Sequence, residues 1–248
     1  MKYAILSDIH GNNWALEAVL ADARQRSIEK FINLGDIYYG PLNPGGTFEL
    51  LQGLDCSTVQ GNQDRTIHQA SPAEIGNNPV LAQIVHQLRA EAIARLACLP
   101  KTDVVSGEIF LCHGSPASDM AYLLEDVSNG FPLVRNEETI LQDLDGVREP
   151  VILCGHTHIP RVVHLASGAL IVNPGSVGLP AYDDDTPNYH VMETFTPSAS
   201  YAILEKKAGA WYVEQLKIPY DFSPAVEQAR HQGRTDWARW LATGRAAE

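Results

Sequence analysis

Residues 3–12 read YAILSDIHGN, and they set the fold class. Tyr3–Leu6 is a short apolar run of strand character that stops at Ser7-Asp8. Beyond it, Trp14, Leu16, Val19, Leu20 and Ala23 recur at helical spacing, with Asn13 placed to cap the helix. A buried strand feeding an amphipathic helix is the first half of a parallel crossover, and the pattern repeats. Phe31-Ile32-Asn33-Leu34 is a second strand ending at Gly35-Asp36, Thr47–Leu54 a short helix, and Ser57–Gln60 a third strand ending at Gly61-Asn62.

The middle and the end of the chain read differently. Pro79–Leu99 is expected to be one long amphipathic helix stopped by Pro100. Thr102–Ser106 and Glu108–Cys112 flank Gly107 as a hairpin whose second arm ends at His113-Gly114. Glu137–Leu144 reads as a helix, and Pro150–Cys154 as a strand ending at Gly155-His156. Two more hairpins follow, Arg161–Leu165 with Ala169–Asn173 and Ser200–Lys206 with Ala210–Ile218, and then a helical tail over Ser223–Leu241. These antiparallel pairs do not fit a pure doubly wound sheet and imply a second sheet packed on the first. The chain reads as one domain over 1–248, with a core to about 218 and the tail over about 219–248.

Composition narrows the function. The 248 residues carry 18 Lys+Arg against 30 Asp+Glu, a formal net charge of −12. That balance argues against binding extended nucleic acid or an anionic membrane surface, both of which need a basic footprint. No stretch approaches the ~18 apolar residues of a bilayer span, and the N-terminal run is too short for a signal-peptide core. Cys56, Cys98, Cys112 and Cys154 form no C-x-x-C pair and sit in or beside apolar runs. They read as buried free thiols, which points to the cytoplasm.

The chemistry sits where the strands end. Asp8 and His10 follow the first strand, Asp36 the second, Asn62 the third, His113 the fifth, and His156 and His158 the sixth. Ligands of α/β sheets bind outside the carboxyl ends of strands, so residues far apart in sequence converge there. Oxygen and imidazole donors without thiolate suit Mn, Fe, Zn or Ni. Seven candidate ligands are too many for one tetrahedral ion, and they fit two ions sharing a carboxylate. A Gly beside each cluster (Gly11, Gly35, Gly61, Gly114, Gly155) allows sharp turns and close approach.

Each short motif is weak alone; the ordered set is specific. DIHGN (Asp8–Asn12), GDIYYGP (Gly35–Pro41), GNQD (Gly61–Asp64), HG (His113-Gly114) and GHTH (Gly155–His158) together resemble the calcineurin-like metallophosphoesterase superfamily. NPGSVG (Asn173–Gly178) is similar to a loop of its small prokaryotic, phosphodiesterase-like branch. The resemblance implies an α/β fold, a four-layer αββα sandwich of two mixed sheets flanked by helices. It implies that Asp8, His10, Asp36 and His158 hold one divalent ion and that Asp36, Asn62, His113 and His156 hold the other. Mn leads Fe, Zn and Ni as the metal. A metal-bridging hydroxide would be the nucleophile, in a hydrolase of phosphoester bonds.

One position departs from the family pattern. Where G-N-H-[DE] has His, this chain has Gln63. That His is the group expected to bind the phosphate and protonate the leaving group, and Gln cannot deliver a proton at neutral pH. With no His to orient, the role of Asp64 as its orienting carboxylate is left open. The substitution favours a phosphodiesterase on small or nucleotidic substrates. A phosphomonoesterase or protein phosphatase, a dinucleoside polyphosphate hydrolase, and a non-catalytic scaffold for protein partners stay open, as does a homo-oligomer. Asn62, Gln63 and Asp64 are the catalytic candidates; Asn12 and Arg65 are the substrate-binding ones, with an Arg65–Asp64 ion pair as the competing reading. Tyr38, Tyr39 and Tyr182 are offered for stacking or equally for packing, Trp211, Trp237 and Trp240 for packing, and Asp183-Asp184-Asp185 as a solvated loop, with gating of the site or ion binding as the competing reading. Ala181–Pro197 is longer than expected and reads as a lid or a partner surface.

Overall fold

The first strand, β1 (Lys2–Leu6), sends Ala4 and Leu6 to one side and Tyr3 and Ile5 to the other. That alternation separates two hydrophobic layers. The structure, a computed structural model, describes residues 1–247. After β1 come α1 (Asn13–Gln25), β2 (Lys30–Asn33), α2 (Pro44–Leu51), β3 (Asp55–Thr58), α3 (Asn62–Gln69), α4 (Pro72–Asn77), α5 (Pro79–Gln87) and α6 (Ala90–Cys98). Next are β4 (Thr102–Val105), β5 (Ile109–Cys112), β6 (Glu125–Asp126), β7 (Leu133–Val134), α7 (Glu137–Asp143), β8 (Val151–Leu153), β9 (Arg161–His164) and β10 (Leu170–Asn173). The chain closes with β11 (Ala181–Asp184), β12 (His190–Glu193), β13 (Ala199–Lys207), β14 (Ala210–Ile218), α8 (Ser223–His231) and α9 (Thr235–Thr243).

Two five-stranded mixed sheets result, ordered β14-β13-β1-β2-β3 and β4-β5-β8-β10-β9. In the first, β1, β2 and β3 run parallel. In the second, β5, β8 and β10 do so. Ile5, Ile32, Leu111, Val151, Leu153 and Val172 fill the space between the sheets. Leu16, Val19 and Leu20 of α1 pack with Ala4 and Leu6 on the outer face of the first sheet. Ile140 of α7 packs with Ile152 and Ile171 on the outer face of the second. This is the expected αββα sandwich.

Several boundaries differ from the sequence reading. Asn12, not Asn13, caps α1: its Oδ1 accepts from Ala15 N at 3.1 Å. The expected single helix over Pro79–Leu99 is two, because Leu88 (ψ 136°) and Arg89 (ψ 150°) are extended. On either side of the break, α5 packs on α2 and α3, and α6 packs on α3. The tail is likewise two helices, divided near Gly233 (φ 74°). Of the four thiols only Cys112 and Cys154 are buried; all four are free, and Cys98 is exposed. No helix among the described residues is long and apolar enough to cross a membrane.

Candidate metal centre

Six parallel strands, three from each sheet, point their carboxyl ends at one place. Asp8 and His10 lie just beyond β1, Asp36 beyond β2, and Asn62 at the start of α3 after β3. His113 follows β5, and His156 and His158 follow β8. The loop after β10 ties the sheets together there. Val177 N donates to Ser7 O at 2.9 Å, Gly178 N to Asp8 O at 3.0 Å, and Ser176 Oγ to Asp8 O at 2.7 Å.

The backbone under these residues is unusual. Asp8, His10, Asp36, His156 and His158 all have φ between 53° and 68°, in the left-handed region. Side-chain-bearing residues held there cost of order 1–3 kcal/mol each and gather at functional sites. Gly61 makes the crowding workable, since a Cβ there would collide with Asp36 N and Oδ1.

Ring orientation is fixed from outside. His10 Nδ1 faces Tyr39 O at 2.9 Å, His113 Nδ1 faces Leu34 O at 2.7 Å, and His158 Nδ1 faces Leu179 O at 2.7 Å. A carbonyl only accepts, so each Nδ1 carries a proton and each Nε2 is turned inward. His156 is reversed: its Nε2 faces Met120 O at 3.3 Å. Asp8, His10 and His158 form one group with a ligand atom from each within 4.8 Å of the others, and Asp36, His113 and His156 form a second. Asn62 Oδ1 lies 3.0 Å from His113 Nε2.

The fit to cations can be tested on these atoms. His10 Nε2 and His158 Nε2 stand 3.1 Å apart, and Asp8 Oδ1 is buried without a hydrogen-bond donor. A buried acceptor left unpaired costs about 1–3 kcal/mol, and a divalent ion among these three atoms would satisfy them together. Nitrogen and oxygen donors without thiolate fit Mn, Fe, Zn or Ni.

Electrostatics point the same way. Burial works against the charge of Asp8, yet His158, His113 and His10 hold its carboxyl well below the usual range. Burial also opposes charge on His113, but the Asp36 and Asp8 carboxylates lift its pKa to about 10. Burial and then the charge of His113 push His156 down to about 4. Without metal, a proton on His113 supplies part of the positive charge that two carboxylates call for.

Asp64 serves the loops. Its carboxylate accepts from Asp36 N at 2.8 Å, Ile37 N at 2.9 Å and Gly61 N at 3.0 Å, clamping the Asp36 loop to the Gly61 loop. Gln63 lines the cleft over the ligands, and its backbone N donates to Asp36 Oδ1 at 2.8 Å.

Two expected substrate contacts are not brought into that cleft. Arg65 pairs bidentately with Asp119, at 2.7 and 3.1 Å, rather than with Asp64 or the ligand cluster. Asn12 is buried, caps α1, and donates to Gly178 O at 2.9 Å and Tyr220 Oη at 3.1 Å. Tyr38 is buried against Phe48, whereas Tyr39 and Tyr182 line the cleft. Sequence reasoning missed Met120, Tyr122 and Arg234 as cleft residues and treated Trp237 and Trp240 as packing only. Trp237 stands edge-on to His10, with centroids 5.7 Å apart. Asp183 and Asp184 are solvent-exposed, as expected, but they lie on β11 rather than in a loop and edge the cleft. His190 is fully buried behind Tyr122, whose Oη lies 3.0 Å from His190 Nε2. Neither a motif nor a periodicity marked Met120, Tyr122, Arg234 or His190.

With this geometry in view, the comparisons are direct. Residues 1–196 match the calcineurin-like phosphoesterase superfamily domain. The chain belongs to that superfamily. It is 28% identical to an uncharacterized protein of Methanocaldococcus jannaschii, with 94% of each chain covered. It is 27% identical to a crystal structure of a metallophosphoesterase from Sphaerobacter thermophilus, at a TM-score of 0.76, covering 99% of this chain and 100% of that one. A hypothetical protein from Pyrococcus horikoshii shares the fold at a TM-score of 0.78 and 20% identity, covering 99% of each chain. As a family member with both His/Asp groups assembled, the chain is built as a phosphoester hydrolase.

Proposed function

We propose that the chain is a dinuclear metal-dependent phosphodiesterase acting on small or nucleotidic diesters. Asp8, His10, Asp36 and His158 hold one ion, Asp36, Asn62, His113 and His156 the other, and Mn is the leading metal. The observation that carries this reading is the set of outward-anchored imidazoles whose free nitrogens meet Asp8 and Asp36. Asp36 Oδ2 lies 3.5 Å from His113 Nε2 and 4.0 Å from His10 Nε2, which supports its role as the shared carboxylate.

When bound, the ions activate a water and neutralise charge growing on the phosphoryl oxygens. The protein's residues do the rest. The Nδ1–H bonds of His10, His113 and His158 aim the ligand nitrogens, and Asp64 fixes the Asp36 loop. Gln63 lines the cleft as a hydrogen-bond donor and transfers no proton, so leaving groups that depart without an acid are preferred. Aryl esters and nucleotide aryl diesters have that property.

The test is to strip metals, reload with Mn, Fe, Zn or Ni, and assay bis(p-nitrophenyl) phosphate beside p-nitrophenyl phosphate. The expected result is metal-dependent turnover, fastest with Mn and faster on the diester. Faster monoester cleavage would overturn the diester preference. No turnover with any of these metals would overturn the hydrolase reading in favour of a scaffold.

A further inference from the structure

Beside the cleft over the ligands, which measures 310 Å³, lies a larger cavity of 560 Å³. Met120, Tyr122, His156 and Asp184 line both, so the larger space opens directly off the ligand cluster at His156. It is walled by the β6–β7 hairpin and the turn between β11 and β12. Its volume is in the range of sites that enclose a small organic molecule.

Its chemistry is selective. Tyr122, Val127, Val134 and Pro187 supply apolar and aromatic wall, and Met120 and Val134 are exposed at the rim rather than packed. Such walls favour a ring. Asp126 and Asp184 supply exposed carboxylates, and the Glu125 carboxyl accepts from Arg161 Nε at 3.3 Å. Glu125 is only 3% exposed, and its Oε2 has no hydrogen-bond donor. Arg135 is the one Lys or Arg among the described lining residues, and it is already committed. Its Nη1 donates to Tyr122 O at 2.8 Å, Leu123 O at 3.2 Å and Asp143 Oδ2 at 2.6 Å. An entering group therefore meets apolar wall, the exposed carboxylates of Asp126 and Asp184, and the neutral polar side chains of Ser128, Asn136 and Thr139, with no uncommitted Lys or Arg among the described lining residues. N–H and O–H donors are welcome, while a further phosphate would face like charge.

We infer that this cavity takes an uncharged, nucleoside-sized arm of the phosphodiester and rejects an arm bearing another phosphate. The inference rests on the phosphodiesterase reading above. It also separates that reading from hydrolysis of dinucleoside polyphosphates, whose phosphate chain would have to pass the same acidic wall.

The experiment uses the Mn-loaded full chain and three esters: thymidine 5′-(p-nitrophenyl phosphate), the same compound with a 3′-phosphate, and methyl p-nitrophenyl phosphate. The 3′-phosphate is expected to lower kcat/KM by about tenfold or more. In Val134→Trp, which fills the cavity, the ratio of kcat/KM for the thymidine ester to that for the methyl ester is expected to fall about tenfold. Equal handling of the two thymidine esters, or an unchanged ratio in a folded Val134→Trp, overturns the inference. A second readout needs no turnover: thymidine titrated calorimetrically onto metal-free protein should bind, and thymidine 3′-phosphate should bind about tenfold more weakly. If no ester is cleaved, the phosphodiesterase reading fails, and the titration judges the cavity alone. Absent or equal binding of the two nucleosides then overturns it.

Discussion

His10 Nε2 and His158 Nε2 face each other across 3.1 Å, while the Nδ1–H of each ring is committed to Tyr39 O and Leu179 O. Two acceptor nitrogens held in this way, beside the orphaned Asp8 Oδ1, make a place that a cation completes. Adding Mn to stripped protein should raise Tm, because an ion that binds only the folded chain stabilises it by about 2.7 kcal/mol at a hundred times Kd. His158→Ala removes one of the facing nitrogens and should give a clearly smaller rise at the same Mn concentration. Differential scanning calorimetry reads both, and an identical rise in the variant would count against the assignment of His158.

The Asp64 carboxylate gathers three backbone N–H groups from two loops. Asp64→Ala strands them in a buried place, and each stranded donor costs about 1–3 kcal/mol. A loss of about 3 kcal/mol or more is expected in urea unfolding with chelator present. Asp64→Asn keeps one carbonyl oxygen, which can still accept from Asp36 N and Gly61 N but not from Ile37 N, and should lose less than Asp64→Ala. A loss below about 1 kcal/mol in Asp64→Ala would show that the clamp is not what holds the loops.

Glu125 gives a pH signature of its own. Burial raises its carboxyl from an ordinary 4.5 to about 7, against the pull of Arg161 and Thr157. The folded chain thus binds this proton more tightly than the unfolded one. The resulting stabilisation is complete below about pH 4.5 and is lost as pH rises through about 7. Glu125→Gln stays neutral and lacks this fall. Over that window the wild type should lose roughly 2–3 kcal/mol relative to the variant. Urea unfolding at a series of pH values checks it, and parallel curves would contradict the buried, poorly paired Glu125.

Gln63 lies where an acid would assist departure of the leaving group. Gln63→His should restore part of the roughly 10²–10⁴-fold that general acid catalysis contributes. The gain should appear on alkyl phosphodiesters and be small on aryl ones, whose leaving groups need no proton. Equal gains on both would mean that position 63 acts in some other way.

Much of this was legible before the structure. The strand-end motifs named each residue of the two His/Asp groups, because a ligand at the carboxyl end of a buried strand leaves a local mark: an apolar run cut off by Asp or His beside Gly. The hairpins over 102–112 and 161–173 were equally local. What was hidden depended on tertiary placement. No Gly or Pro near Leu88 announces the helix break. Arg65 sits next to the GNQD motif, yet its position on α3 turns it toward Asp119. Trp237 and Tyr122 reach the cleft from elements that carry no motif. Asn12, the last residue of DIHGN, spends its side chain on capping α1 and on Gly178 O and Tyr220 Oη, a placement that only the folded chain reveals.

The most direct test concerns Asp36, which stands between the two groups. Manganese bound per chain should be measured by elemental analysis after loading and desalting, alongside the rate on bis(p-nitrophenyl) phosphate, for wild type and Asp36→Asn. The account predicts about two ions in the wild type, about one or fewer in the variant, and a rate in the variant reduced by at least about 10²-fold. Two ions retained in Asp36→Asn with an undiminished rate would contradict the shared-carboxylate centre.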